Sequence, residues 1–180
     1  MVIERCKGVT LVELLVTIAI VAILVTIGFP SFQSSLRSNR IASANNELIA
    51  SLSLARSEAV RSVRGGGVCA SEDGLSCSGT WDDGWIVWQD VAGGTSGGFD
   101  DDDLVVRHIN APTNMSVTLM NSSDEALEVL PFDVRGRPVA ADMPLAWRLT
   151  PDNCPTGGEF VRVVEITLVG QTKSLKGTCP

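Results

Sequence analysis

Hydrophobic and polar residues change their spacing twice along this chain. Residues 9–29 are apolar at almost every position, and residues 14–36 carry no charge. An apolar run of that length suffices for a helix across a hydrocarbon core of ~30 Å, which takes about 20 residues. Gly28, Phe29 and Pro30 close the run. Pro30 has no N–H and crowds the preceding turn, so a kink or local melting of the helix is expected there. The spacing then turns periodic. Ile41, Ala44, Leu48, Leu52, Ala55, Ala59 and Val63 recur in steps of three or four, with Asn46, Glu47, Ser57, Glu58 and Arg61 largely between them. That is one apolar stripe on an amphipathic helix. Gly65, Gly66 and Gly67 supply its stop. A helix over 9–64 would be about 80 Å long at 1.5 Å per residue, far more than a globular domain needs.

Beyond the glycines the period shortens. Residues 84–89 (Gly-Trp-Ile-Val-Trp-Gln) read as a strand, and 104–109, 116–120, 126–130, 146–149 and 160–168 are further strands. A loop rich in Gly and Asp covers 92–103, and Pro112, Pro131, Gly136, Pro138 and Pro144 punctuate the rest. A helix followed by consecutive strands predicts an α+β unit, an antiparallel sheet packed on the helix. The expected divisions are a leader over 1–8, a transmembrane helix over 9–30, its amphipathic continuation over 31–64 and a sheet domain over 65–180.

Charge sharpens this picture at one position. Glu13 is the only acid inside the apolar run, and a carboxylate there costs a few kcal/mol in a bilayer unless it finds a partner. Arg5 and Lys7 lie ahead of the run, which keeps that end cytoplasmic and places the C-terminal part outside. A cleaved secretory signal would have a shorter apolar core followed by a small-residue cleavage site. The net charge of −7 gives no general attraction to nucleic acid.

Five cysteines are present, and Cys6 falls in the leader. The other four, Cys69, Cys77, Cys154 and Cys179, read as disulfides in an oxidising compartment. Four cysteines allow three connectivities; local pairing of Cys69 with Cys77 and of Cys154 with Cys179 is the simplest. Their spacing is too wide for a zinc site. His108 is the single histidine, on an expected strand, and no nucleophile, metalloprotease or phosphate-loop motif accompanies it. Nothing implies a cofactor or a catalytic residue. The four acids at 100–103 could hold calcium, but they lack alternating ligand spacing and read as a solvated loop, so no metal site is assigned.

The stretch Cys6-Lys7-Gly8-Val9-Thr10-Leu11-Val12-Glu13, running into apolar sequence, closely resembles the class III signal of type IV pilins and type II secretion pseudopilins. The resemblance implies cleavage after Gly8 by the prepilin peptidase and methylation of the new amino terminus at Val9, where the family usually has Phe or Met. It also implies that Glu13 neutralises the amino terminus of a neighbouring subunit, and that Pro30 belongs to the assembly helix. The motifs Ala55-Arg56-Ser57-Glu58-Ala59-Val60, Val68-Cys69-Ala70-Ser71, Cys77, Trp81, Gly84-Trp85-Ile86-Val87, Asp90 and the stretch from Phe132 to Gly136 resemble the GspH/FimT/FimU group of minor pilins.

The type IV pilin fold and a structural, non-enzymatic role follow as expectations from this resemblance. The chain would wait in the inner membrane with its sheet domain in the periplasm. It would then join other minor and major pilins in the tip or priming complex of a surface pilus. Two alternatives use the same fold: a type II secretion pseudopilin, and a DNA-uptake pilin. For the latter, Arg162, Lys173 and Lys176 near the tail are the only candidate DNA contacts. Three phosphate contacts give a log–log salt slope of only about −3, hence weak binding.

Overall fold

The computed structural model describes residues 9–91, 98–110 and 112–180, without the side chains of Ile27, Pro30 and Ser31. Two compact units are present, Met1–Ser38 and Asn39–Pro180. A single helix, α1 (Leu11–Ser62, 52 residues), contributes to both. Thr10 starts it: its Oγ1 accepts from the Glu13 N–H (3.2 Å) and its carbonyl from the Leu14 N–H (3.1 Å). Thr10 is thus an N-cap, with an acid in the first turn at the positive end of the helix dipole.

Helical structure runs through position 30 without interruption, so the melting expected at Pro30 does not occur. A proline forfeits one backbone hydrogen bond, and the turns on either side retain theirs. Among the described residues no helix is long and apolar enough to cross a membrane. The absence of charge over 14–36 is a property of the sequence itself.

In the second unit the expected stripe is the buried face of α1. Ile41, Leu48, Leu52, Ala55 and Ala59 are at most 1% exposed, and Ala44 joins them in the core. Val63 does not: it is exposed, with φ at +60°. The helix ends one turn before the expected glycine stop because Ser62 caps it, its Oγ accepting from the N–H groups of Arg64 (3.1 Å) and Gly65 (3.2 Å). Val63, a β-branched residue, occupies the left-handed position that glycine ordinarily fills.

Two four-stranded antiparallel sheets follow where one was expected. The first has the order β3-β2-β1-β5, from β1 (Gly66–Ala70), β2 (Gly84–Gln89), β3 (Leu104–Asn110) and β5 (Val129–Phe132). The second has the order β4-β6-β7-β8, from β4 (Met115–Met120), β6 (Leu145–Pro151), β7 (Val161–Ile166) and β8 (Thr172–Gly177). Strand β2 has the bounds expected from its pattern. The strand expected over 126–130 is displaced: Ala126 forms only an isolated bridge to Met120, and β5 starts at Val129. A turn holds the displaced segment, the Asn121 carboxamide oxygen accepting from the N–H groups of Ser123 and Glu125. Pro131, which cannot donate to a ladder, sits on an edge strand.

Gly66 and Gly67 belong to β1, not to the helix stop. A Cβ at Gly66 would meet the Trp88 carbonyl at 2.6 Å, and one at Gly67 would meet the Trp88 ring at 2.8 Å. Glycine here lets β1 lie between β2 and β5 beneath that ring.

One core unites the helix stripe with both sheets, through Val68, Trp85 and Val87 from the first and Leu119, Trp147 and Val164 from the second. Burying a Leu or Val side chain contributes about 1.5–3 kcal/mol. Trp81 lies edge-on to Trp147, with ring centroids 5.6 Å apart, and donates its N–H to the Leu127 carbonyl at 2.7 Å. Trp85 donates to the Ser51 hydroxyl of α1 at 3.0 Å and Ser174 of β8 donates to the Asn45 carboxamide oxygen at 2.7 Å, so polar ties join the helix to both sheets beside the apolar interface. A smaller cluster of Cys69, Ile86 and Trp88 lies apart from this core, with Cys77, Phe99, Val105 and Val129 packed against it.

Candidate functional site

The first unit presents its chemistry at one end. Val9 and Thr10 precede α1, and Glu13 stands in its first turn. Glu13 is exposed, and among the described residues no group of the chain pairs with its carboxylate. Gly8, the residue expected before the cut, lies outside the described residues, as does the rest of the 1–8 leader. Pro30 is described only in its backbone.

The remainder of this helix is apolar on every side. Leu11, Leu15, Ile18, Ile23, Leu24, Phe29 and Phe32 are each more than half exposed. A helix apolar all round requires burial in lipid or among other helices. The two threonines fit that demand. Thr17 donates its hydroxyl to the Leu14 carbonyl (2.8 Å) and Thr26 to the Ile23 carbonyl (2.8 Å), so neither leaves an unmade hydrogen bond facing outward. Val21, Leu24, Val25, Gly28, Phe29 and Phe32 line a shallow cleft of about 360 Å³ on one face.

The second unit is tied by covalent and polar clamps. Cys69 bonds Cys77 and Cys154 bonds Cys179, the local pairing. Between the first pair, Asp73 organises the loop. Its carboxylate accepts from the N–H groups of Leu75 (2.8 Å) and Ser76 (2.9 Å) and from the Ser76 hydroxyl (2.9 Å). Those donors hold its pKa down to about 2. Arg56 clamps the end of α1. Its Nη1 donates to the Gly170 carbonyl at 3.1 Å, between β7 and β8, while its Cγ lies 2.8 Å from where a Cβ of Gly136 would be.

The structure does not bring the three candidate DNA contacts together. Arg162 and Lys176 face each other across β7 and β8, but Lys173 lies opposite Glu165. Residues 173 and 176 are three apart on a strand and so point to opposite faces. His108 pairs with Ile86 in register, and its Nδ1 sits 2.6 Å from where a Cβ of Gly74 would be, against the disulfide loop. Within the acidic run, Asp103 accepts from the N–H groups of Asp100 (3.0 Å) and Val91 (3.3 Å). Burial raises its pKa. It acts as a clasp joining the two sides of the loop, and among the described residues no group of acids, His or Cys could hold a metal ion.

In the sequence Arg56 stands within a motif without a role of its own, and Asp73 is not distinguished from its loop neighbours. Asp-Gly at 73–74 between two nearby cysteines was the available signal for an organised turn.

Comparison with known proteins follows the same division of the chain. Residues 4–29 match the family model of the prokaryotic N-terminal methylation motif, and residues 44–170 match that of type II transport protein GspH. No curated protein matches the sequence. Among solved structures the chain is similar to the type IV minor pilin FimU of Pseudomonas aeruginosa. One crystal form gives 24% identity over 75% of this chain and 87% of that chain, with a TM-score of 0.53. A second gives 22% identity over 74% and 91%, with a TM-score of 0.52. At these identities the likeness concerns the fold.

Proposed function

The chain belongs to the GspH family of pilin-like structural subunits, and from that premise we propose that it serves in the tip or priming complex of a type IV pilus. The prepilin peptidase cuts after Gly8 and leaves a methylated Val9. The subunit rests in the inner membrane with its sheets in the periplasm until it joins other pilins. One observation carries the reading: Glu13 is the sole charge between Val9 and Leu36, where the described apolar side chains are exposed on all sides, and no group among the described residues answers it. Beside a second such helix, the amino terminus of a neighbour supplies the missing partner, because neither charge then has water as an alternative.

Glu13→Ala therefore leaves membrane insertion intact and lowers the amount of this chain in sheared filaments. Equal incorporation of the alanine variant would defeat the reading. The alternative that a specific observation favours is a type II secretion pseudopilin, since the matching family model carries that description. Deleting the gene separates the two: loss of surface pili supports the pilus, and loss of secreted enzymes with pili intact supports the secretion system.

A further inference from the structure

Thr10, Thr17 and Thr26 use their hydroxyls in opposite ways. Thr17 and Thr26 donate theirs to carbonyls three residues back, those of Leu14 and Ile23. The Thr10 oxygen accepts instead, from the Glu13 N–H at 3.2 Å, while the Thr10 carbonyl accepts from the Leu14 N–H at 3.1 Å. In a helix begun earlier, the Glu13 N–H would go to the Val9 carbonyl, four residues back. The Thr10 side chain takes that carbonyl's place. Val9 and Thr10 therefore stay outside the helix, which begins at Leu11. Val9 is 72% exposed and Leu11 73%, so packing within the chain does not hold this segment out of the helix; the cap does.

Two positions near the start can serve as caps. Over residues 1–16, Thr10 is the only Ser, Thr, Asp or Asn, and Gly8 is the only glycine. Glycine ranks beside threonine at an N-cap, whereas alanine is poor there and good inside a helix. A chain without the Thr10 oxygen would thus pass the role to Gly8, and Val9 would become the first helical residue. The Glu13 N–H would then bond the Val9 carbonyl, and the Val12 N–H the Gly8 carbonyl. That second carbonyl belongs to the bond expected to be cut. Hydrolysis adds the hydroxyl of water to its carbon and a proton to the Val9 nitrogen, leaving a carboxylate on Gly8 and an amine on Val9. The carbonyl oxygen carries the charge that develops, so it has to face donors of the peptidase rather than a helix N–H.

We propose that Thr10 is a positioning residue for this cleavage: by capping α1 at Leu11 it keeps the Gly8–Val9 bond out of the helix and open to the peptidase. The inference rests on the processing step of the reading above. Thr10 takes no part in the scissile bond and acts through the Glu13 N–H, which it supplies with a partner two residues beyond that bond.

The test follows the full-length chain in detergent micelles with purified prepilin peptidase. It reads kcat/KM from the appearance of the product, whose terminus mass spectrometry identifies. Thr10→Ala removes the cap acceptor. Thr10→Asn keeps an acceptor of at least equal rank and removes the hydroxyl. The expected result is a roughly fivefold fall for the alanine chain, the factor a cap is worth, and no fall for the asparagine chain. The Cα carbon shift of Val9 should turn helical in the uncut alanine chain alone. Equal rates for the alanine and parent chains overturn the inference, because the start of the helix then does not govern the cut. Equally slow alanine and asparagine chains overturn it as well, since the peptidase then reads the hydroxyl itself. So does a slow alanine chain whose Val9 stays non-helical. Failure of the parent chain to be cut between Gly8 and Val9 overturns the processing step, and this inference with it.

Discussion

Leu24 and Leu48 are the same residue on the same helix, yet Leu24 is 64% exposed and Leu48 is fully buried. The difference divides the molecule. From Val9 to Leu36 the described apolar side chains turn outward on all sides, and the hydroxyls of Thr17 and Thr26 are satisfied within the helix. From Asn39 onward one stripe turns inward against two sheets. A helix of one kind finishes its folding only in other company, lipid or neighbouring helices, whereas a helix of the other kind is complete within its own chain. Charge divides in parallel. The first region holds Glu13 without a partner among the described residues. The second distributes its acids among local donors, as at Asp73, Asp103 and the Arg107–Glu47 pair at 2.7 Å.

The strongest way to break this comparison is to truncate both leucines. Leu48→Ala removes a fully enclosed side chain and should cost about 4 kcal/mol, within the usual range of about 2–5 for such sites. The readout is denaturant unfolding of a soluble fragment beginning near Ser35. Leu24→Ala in the full chain should leave the unfolding of the sheet unit unchanged and weaken filament retention instead. Similar effects of the two on unfolding would show that the first region is folded into the second after all.

The two disulfides sharpen the picture within the second unit. Cys154 and Cys179 close a separation of 25 residues, and Cys69 and Cys77 one of 8. On chain-entropy grounds, replacing the first pair by serine should cost about 3.5 kcal/mol and the second about 2.5. The comparison of urea midpoints for the two double variants checks the order. A larger loss from the shorter loop would mean that Cys69 matters mainly through its packing beside Ile86 and Trp88. The fragment with both bridges intact should show no thiol reactive to a probe.

These contrasts were unevenly legible in the sequence. The helix stripe was visible because a period of 3.6 is local, and Glu13 because a lone acid in an apolar run has no quiet explanation. Strand β1 was hidden: Gly-Gly after a helix reads as a stop, and the two glycines are explained only by the close approach of the Trp88 carbonyl to Gly66 and of the Trp88 ring to Gly67. Strand β8, Thr-Lys-Ser-Leu-Lys-Gly, reads as a solvated tail because an edge strand can carry lysines without a hydrophobic face. The split into two sheets depends on which strands pair, and β1 with β5 joins segments some sixty residues apart through the register of Val68 with Leu130. Arg56 looked like any exposed cation on a helix, since its acceptor lies 114 residues further on. Side-chain roles that depend on such distant closure leave no local trace.

The smallest effect concerns one carboxylate of the second unit. Asp73 is surrounded by donors, and its pKa falls from 3.8 to about 2. A folded value below the unfolded one means that the charged form stabilises the loop. That contribution is complete above about pH 4 and is lost as the pH falls from there toward 2. Because the group is open to water the gain is modest. Asp73→Asn keeps an acceptor for the Leu75 and Ser76 N–H groups but removes the titration. Melting curves of the soluble fragment between pH 5 and pH 2 should therefore fall less steeply for the variant than for the parent, with the two differing most above pH 4. Parallel slopes would show that the loop between Cys69 and Cys77 is held by its disulfide and by the His108 contact at Gly74, with the Asp73 carboxylate contributing geometry but no charge-dependent stability.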